Sequence, residues 1–162
     1  MASPQTYTVE RSTVVAAAPD RIRAEVDDLH RWRAWSPFEG LDPALQRTYG
    51  GPASGPGATY AWSGNRKAGR GTMEVLESTP GAVRVSVVFE KPFPSTSTST
   101  FSLVPEPAAD GAPRTRVTWS MTGPRPLLLR VLGSVISMDK VLGKDFERGL
   151  QQLRAVAEAP PA

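Results

Sequence analysis

The stretch that decides the fold is VISMDKVLGKDFERGLQQL, residues 135–153. Its apolar side chains Val135, Leu142, Phe146, Leu150 and Leu153 follow at steps of seven, four, four and three. That spacing sets them on one stripe of an α-helix. The helical period returns after Gly123-Pro124, takes in Leu132, and holds to about Glu158. A helix of that length spans ~45 Å at ~1.5 Å per residue. Residues 127–131 are read as a separate turn before it. An amphipathic helix this long must bury its stripe against something, and the rest of the chain supplies a sheet.

Ahead of the helix the period is mostly two. Residues 6–15 alternate, with Tyr7, Val9 and Arg11 on one face and Thr8, Glu10 and Ser12 on the other. Further strands are predicted over residues 41–49, 58–63, 67–78, 83–90, 95–104 and 114–122. Gly64-Asn65 and Pro80-Gly81 mark hairpin turns, and residues 50–57 form a Gly/Pro loop. Between the first two strands, Pro19 opens a helix carrying Ile22, Val26 and Leu29; Pro is accepted there because its missing N–H would be unpaired anyway. A second short helix carries His30, Trp32 and Trp35 and ends at Ser36-Pro37. The fold class is therefore α+β, in the order β-α-α-β6-α: a curved antiparallel sheet of about seven strands. A meander that is apolar on one face needs a cover, and the C-terminal helix is the element long enough to serve. Residues 1–6 read as an N-terminal tail, 7–158 as one domain and 159–162 as a C-terminal tail.

Composition removes several classes of chemistry. The 162 residues contain no Cys and one His, His30, which excludes disulfides, thiolate sites and multi-histidine metal centres. No carboxylate cluster has metal-ligand spacing, so no metal or cofactor is expected. Residues 50–57 lack the Lys-Ser/Thr ending and following helix of a phosphate loop. The net charge of +3 comes from scattered basic residues rather than one basic face, which argues against nucleic acid as a partner. No run is apolar enough for stable membrane insertion and no signal peptide is read at the start, so the expected location is the cytoplasm. Monomer and homodimer are both compatible with the composition.

Several short motifs resemble one superfamily when taken in order. They are AAPD (residues 17–20), WRAWSP (32–37), GPGATYAWSGN (55–65), GRGTM (69–73), TRVTWSM (115–121) and GKDFERGL (143–150). The chain resembles the polyketide cyclase/dehydrase-like branch of the START-related (SRPBCC) helix-grip proteins over nearly its whole length. The resemblance implies a hydrophobic small-molecule ligand held between sheet and helix. It implies no catalytic motif, since members variously cyclise or dehydrate polyketides, carry lipids or serve other roles.

The residues expected to line that cavity are Trp62, Met73, Val85, Val87, Trp119, Met121, Val135, Leu142 and Phe146. Aromatic and thioether side chains offer large, adaptable apolar contact to a flat ligand. Asp139 interrupts the helical stripe between Val135 and Leu142. A carboxylate facing an apolar cavity is a candidate general acid or base, although the stripe's edge would equally let it reach water. Trp35, Phe38 and Phe93, on two Pro-containing loops, are candidate gate residues. His30, without an identifiable carboxylate partner, reads as a surface or capping residue, and Asn65 as a turn residue. Three functions follow: a carrier or sequestering module for a polyketide, lipid or isoprenoid-like molecule; a polyketide cyclase or dehydratase; or a protein-interaction module.

Overall fold

The computed structural model describes residues 6–91, 94–124 and 138–159, except for the side chains of Met138, Asp139 and Val141. Seven strands form one antiparallel sheet: β1 (Thr6–Val15), β2 (Gln46–Gly50), β3 (Thr59–Ser63), β4 (Arg70–Thr79), β5 (Ala82–Lys91), β6 (Ser95–Pro105) and β7 (Thr115–Pro124). Their spatial order is β1-β7-β6-β5-β4-β3-β2. Strands β2 to β7 are a meander, and β1 closes on β7 from Thr6 opposite Pro124 to Val15 opposite Thr115. Consecutive strands β1 and β2 thus occupy opposite edges of the sheet.

That separation explains the middle of the fold. The connection from β1 to β2 must cross the full width of the sheet. It does so as helix α1 (Pro19–Val26), a 3-10 helix (Leu29–Ala34) and an irregular stretch to residue 45. Ile22, Val26, Leu29 and Trp32 turn inward from it. The C-terminal helix α2 (Met138–Glu158) lies along β1 and also touches β7, the 3-10 helix and α1. Its 21 described residues span about 31 Å. Leu132, Val135 and the predicted turn at 127–131 lie outside the described residues.

The core is aromatic at its centre. Trp119 on β7 stacks on Phe146 of α2 with ring centroids 4.0 Å apart and planes 4° from parallel. Phe101 on β6 stacks on Trp119 at 5.0 Å, and Trp35 meets both edge-on. Each such pair adds roughly 0.5–1.5 kcal/mol to its area burial. Trp32 and Trp35 are tied by their indoles to the backbone carbonyls of Val26 and Glu25.

A buried carboxylate holds the crossover to the helix. Glu25 accepts from Arg21 at 2.6 Å and from Arg31 at 3.0 Å. Arg21 also donates to the Val156 carbonyl of α2 at 3.0 Å. Two residues further along α2, Glu158 accepts from the Ala16 amide at 2.7 Å.

Three details differ from the sequence reading. Residues 41–45 turn rather than extend, and the second strand starts only at Gln46. The reason is Asp42, whose carboxylate accepts from the Ala44 and Asn65 amides and ties the segment to the β3–β4 loop. That loop is longer than a tight hairpin: Asn65 accepts from the Lys67 and Ala68 amides, which delays β4 to Arg70. His30 does have a carboxylate partner, Asp28, whose Oδ1 lies 2.9 Å from Nδ1 and also accepts from the His30 amide.

Candidate functional site

Between the inner face of the sheet and the crossover lies a cavity of about 250 Å³. Inward residues of five consecutive strands form its floor. They include Tyr60 and Trp62 on β3, Met73 on β4 and Val87 on β5. Ser99 on β6, with Trp119 and Met121 on β7, continues it. These are period-two positions, so each pair on a strand faces the same way. The crossover supplies the roof, from Leu29 and Trp32 to Phe38, Glu39, Leu41 and Leu45. Lys67 and Ala68 of the β3–β4 loop close one end. Phe38 and Leu41 are 38% and 37% exposed, so the mouth opens beside them.

A ladder of rings runs along the sheet into the cavity, where Tyr60, Trp62 and Phe89 line it. His30 stacks on Tyr49 at 3.9 Å, Tyr49 on Tyr60 at 5.1 Å and Tyr60 on Trp62 at 5.9 Å; Phe89 meets Trp62 edge-on at 5.4 Å. Trp62 can lie across β4 because Gly71 stands opposite it, where a Cβ would come within 2.5 Å of the indole. Its Nε1 donates to the Ala68 carbonyl at 2.9 Å, which fixes the ring.

The polar equipment is sparse and grouped. Arg47 on β2 clasps Glu39 and brings its positive charge to the Tyr60 phenol. Burial pushes the Tyr60 pKa up to about 12, with the Glu39 charge adding to the rise and Arg47 opposing it. The phenol therefore stays protonated at neutral pH and can donate a hydrogen bond. Tyr49 is raised by burial in the same way.

Of the residues expected to line a cavity, Trp62, Met73, Val87, Trp119 and Met121 surround this one, and Phe38 stands at its mouth. Val85, Leu142 and Phe146 do not line it. Val85 and Phe146 are fully buried in the closed core, and Leu142 packs at its margin. Trp35 does not line the cavity: its indole is fully buried and bonded to the Glu25 carbonyl, because the chain folds inward at that point. Val135, Phe93 and the Asp139 side chain lie outside the described residues. The cavity's cover also differs from the expected one. Among the described residues it is the crossover and not α2 that faces the void, because α2 settles over β1 at the sheet edge.

Sequence reasoning missed Tyr60, Glu39, Ser99 and Lys67. Tyr60 was within reach, since it lies two residues before Trp62 on one strand and must share its face. Glu39 and Lys67 sit in loops, where no period reports direction.

A curved antiparallel sheet crossed by short helices, gripped by a C-terminal helix and hollow on its concave side defines the helix-grip class. The chain matches the family model described as polyketide cyclase / dehydrase and lipid transport over residues 6–158, and it belongs to that family. No curated protein matches it in sequence. Among solved structures, norcoclaurine synthase from Thalictrum flavum, in complex with dopamine and hydroxybenzaldehyde, is similar at TM-score 0.63 and 10% identity, covering 96% of this chain and 90% of that one. A protein from Chromobacterium violaceum is similar at 0.61 and 18%, covering 98% and 100%. The di-domain ARO/CYC BexL from the BE-7585A biosynthetic pathway is similar at 0.66 and 12%, covering 97% of this chain and 52% of that one. At these identities the likeness is one of fold. Among the described residues no helix is long and apolar enough to cross a membrane.

Proposed function

We propose that the protein binds a hydrophobic small molecule, a polyketide, lipid or isoprenoid-like compound, in the cavity under the crossover, as a carrier or sequestering module. The observation that carries this reading is a void walled by Trp62, Met73, Val87 and Met121 beside a core that is otherwise closed. Interiors normally fill such space, because unfilled volume forfeits dispersion contacts. An apolar cavity with a few convergent polar groups is the usual form of a small-molecule site. Family membership and the aromatic pair bound by norcoclaurine synthase support the same reading.

The test is mass spectrometry of what co-purifies from native extract, run beside Val87→Trp. The larger ring should fill the void, abolish the co-purifying species and leave the fold intact by circular dichroism. If nothing co-purifies with either form, and no apolar dye binds, the ligand reading is wrong.

A second reading rests on Glu39 in the roof and Tyr60 in the floor, both lining the cavity beside Arg47. In a bound polyketone, Tyr60 would donate to a carbonyl oxygen while Glu39 takes a proton from the adjacent carbon, the chemistry of a cyclase or dehydratase. Asp139, the carboxylate the sequence singled out, remains a further candidate for that role. Turnover that survives unchanged in both Glu39→Gln and Asp139→Asn would remove acid–base chemistry by either group.

A further inference from the structure

Every arginine on a strand has a glutamate beside it: Arg11, Arg47, Arg70, Arg84 and Arg116 are all in ion pairs. Lys91, the last residue of β5, has no ion pair among the described residues. The register nevertheless sets it directly opposite Arg70, the first residue of β4. Like charges in facing positions work against the pairing of two strands, so this placement calls for an explanation. Glu90 answers only one of the two, since its carboxylate is bonded to Arg70 at 2.9 Å. A third cation joins them from the β3–β4 loop. Arg66, Arg70 and Lys91 line one surface hollow of about 350 Å³, with Ser63 and Asn65 beside them. No carboxylate lines it. Of the nearby acids, Glu90 is held by Arg70, and Asp42 accepts from the Ala44 and Asn65 amides. A concave surface with three cations and no lining acid attracts a multivalent anion. The hollow also adjoins the cavity. Arg66 precedes Lys67, which with Ala68 closes one end of that apolar space, so both are built on the same loop.

We propose that this hollow is a head-group site for an amphiphile bearing a phosphate ester, whose apolar body lies in the cavity while its phosphate sits among Arg66, Arg70 and Lys91. Lys67, on the loop between the two, adds a further ammonium on the way. This rests on the cavity being a ligand site, as proposed above, and gives the ligand a charged outer end. A phosphate monoester suits the hollow better than a carboxylate. It carries close to two negative charges and three acceptor oxygens, enough to engage several cationic donors at once. The Glu39, Arg47 and Tyr60 group plays no part in it.

The test compares n-alkyl phosphates, from hexyl to dodecyl and below their micelle concentrations, with the alcohols of equal chain length. Displacement of an apolar fluorescent dye gives the affinities, and NMR follows the β3–β4 loop amides and the methionine methyls. Inorganic phosphate alone is a separate arm. At low salt the alkyl phosphate should bind roughly tenfold more tightly than its alcohol, the size of one hydrogen bond to a charged group. Added salt should shrink that gain. Arg66→Gln and Lys91→Gln should each remove most of it and leave alcohol affinity unchanged. Neither change should lower the melting temperature, because Lys91→Gln relieves facing like charges and Arg66 is an exposed loop residue. Inorganic phosphate should move the Arg66 and Gly69 amides without displacing the dye. Equal affinities of phosphate and alcohol at every chain length would overturn the head-group site while the cavity reading stands, and a gain that persists in both variants would do the same. Loop shifts with inorganic phosphate but no gain for any alkyl phosphate would reduce the hollow to a site for the free anion, which also overturns it. If neither series displaces the dye or moves the Met73 and Met121 methyls, the cavity reading falls and the head-group assignment with it.

Discussion

The Tyr7 phenol on β1 stands against Ser97 on β6, although β7 runs between those strands. It passes over Gly123, its direct partner on β7, where a Cβ would stand 2.8 Å from the Ser97 Cβ. The glycine is thus a gap in the inner face through which a tyrosine bolts three strands together. Gly123→Ala should cost about 1–3 kcal/mol by overpacking, and Tyr7→Phe up to about 1 kcal/mol through the lost polar contact with Ser97. Denaturant titration of the two single variants and the double variant measures this. Because Tyr7 is already displaced in Gly123→Ala, the double variant should lose less than the sum of the singles.

The two glycines of the α2 motif face different neighbours and should respond differently. A Cβ on Gly149 would stand 2.8 Å from the Pro37 ring and 2.9 Å from the Trp119 indole. Both groups are rigid, so the overpacking cost of about 1–3 kcal/mol outweighs the helix-propensity gain of up to ~1 kcal/mol. A Cβ on Gly143 would meet only the end of the Arg11 side chain, which can swing aside. Thermal melts should therefore show Gly149→Ala several degrees below wild type and Gly143→Ala level with it or above.

Glu25 carries the attachment of α1 to the 3-10 helix, and its arginine Arg21 reaches α2. The carboxylate is 3% exposed and bonded to two guanidinium groups. Removing a buried member of such a set leaves the others unbalanced, a loss of about 3 kcal/mol here, since Arg21 and Arg31 are themselves partly in water. Glu25→Ala should lower the denaturant midpoint at unchanged slope. A slope that falls as well would show that the crossover detaches separately from the sheet.

Alkaline pH should weaken the fold near the cavity. Tyr7, Tyr49 and Tyr60 all have pKa values raised above 10 in the folded protein, chiefly by burial. Above pH 10 the unfolded chain loses these protons first and so binds fewer than the folded one. Stability is then complete below about pH 10 and declines as pH rises toward about 12, the Tyr60 value. Melting temperature against pH, followed with tyrosinate absorbance, measures the decline. Tyr60→Phe should flatten it, and an unchanged slope in that variant would mean that Tyr60 titrates as if in water.

Much of this was legible in the chain itself. Alternation placed β1 over residues 6–15 and set Trp119 and Met121 on one face, because a strand's period is a local property. The helical steps from Leu142 to Leu153 likewise announced the face of α2 that is now buried. Where reading went astray, a distant partner had decided the outcome. Residues 41–45 alternate acceptably, yet Asp42 bonds to the β3–β4 loop and turns them. Trp35, beside a Pro-containing turn, carries no local sign of burial, yet its indole reaches the Glu25 carbonyl and is fully enclosed.

Residue spacing was thus enough for the elements, their order and the inner faces of β1 and β7, since backbone geometry turns spacing into direction within a few positions. Long-range packing settled where the hollow lies and which groups meet across it. The pairing of β1 with β7 sends the following segment over the whole sheet, and that long-range choice roofs the cavity with Phe38, Glu39 and Leu41. Contacts so far apart in the chain leave no periodic trace, so the meeting of Glu39 with Arg47 and Tyr60 could be seen only once the chain had folded.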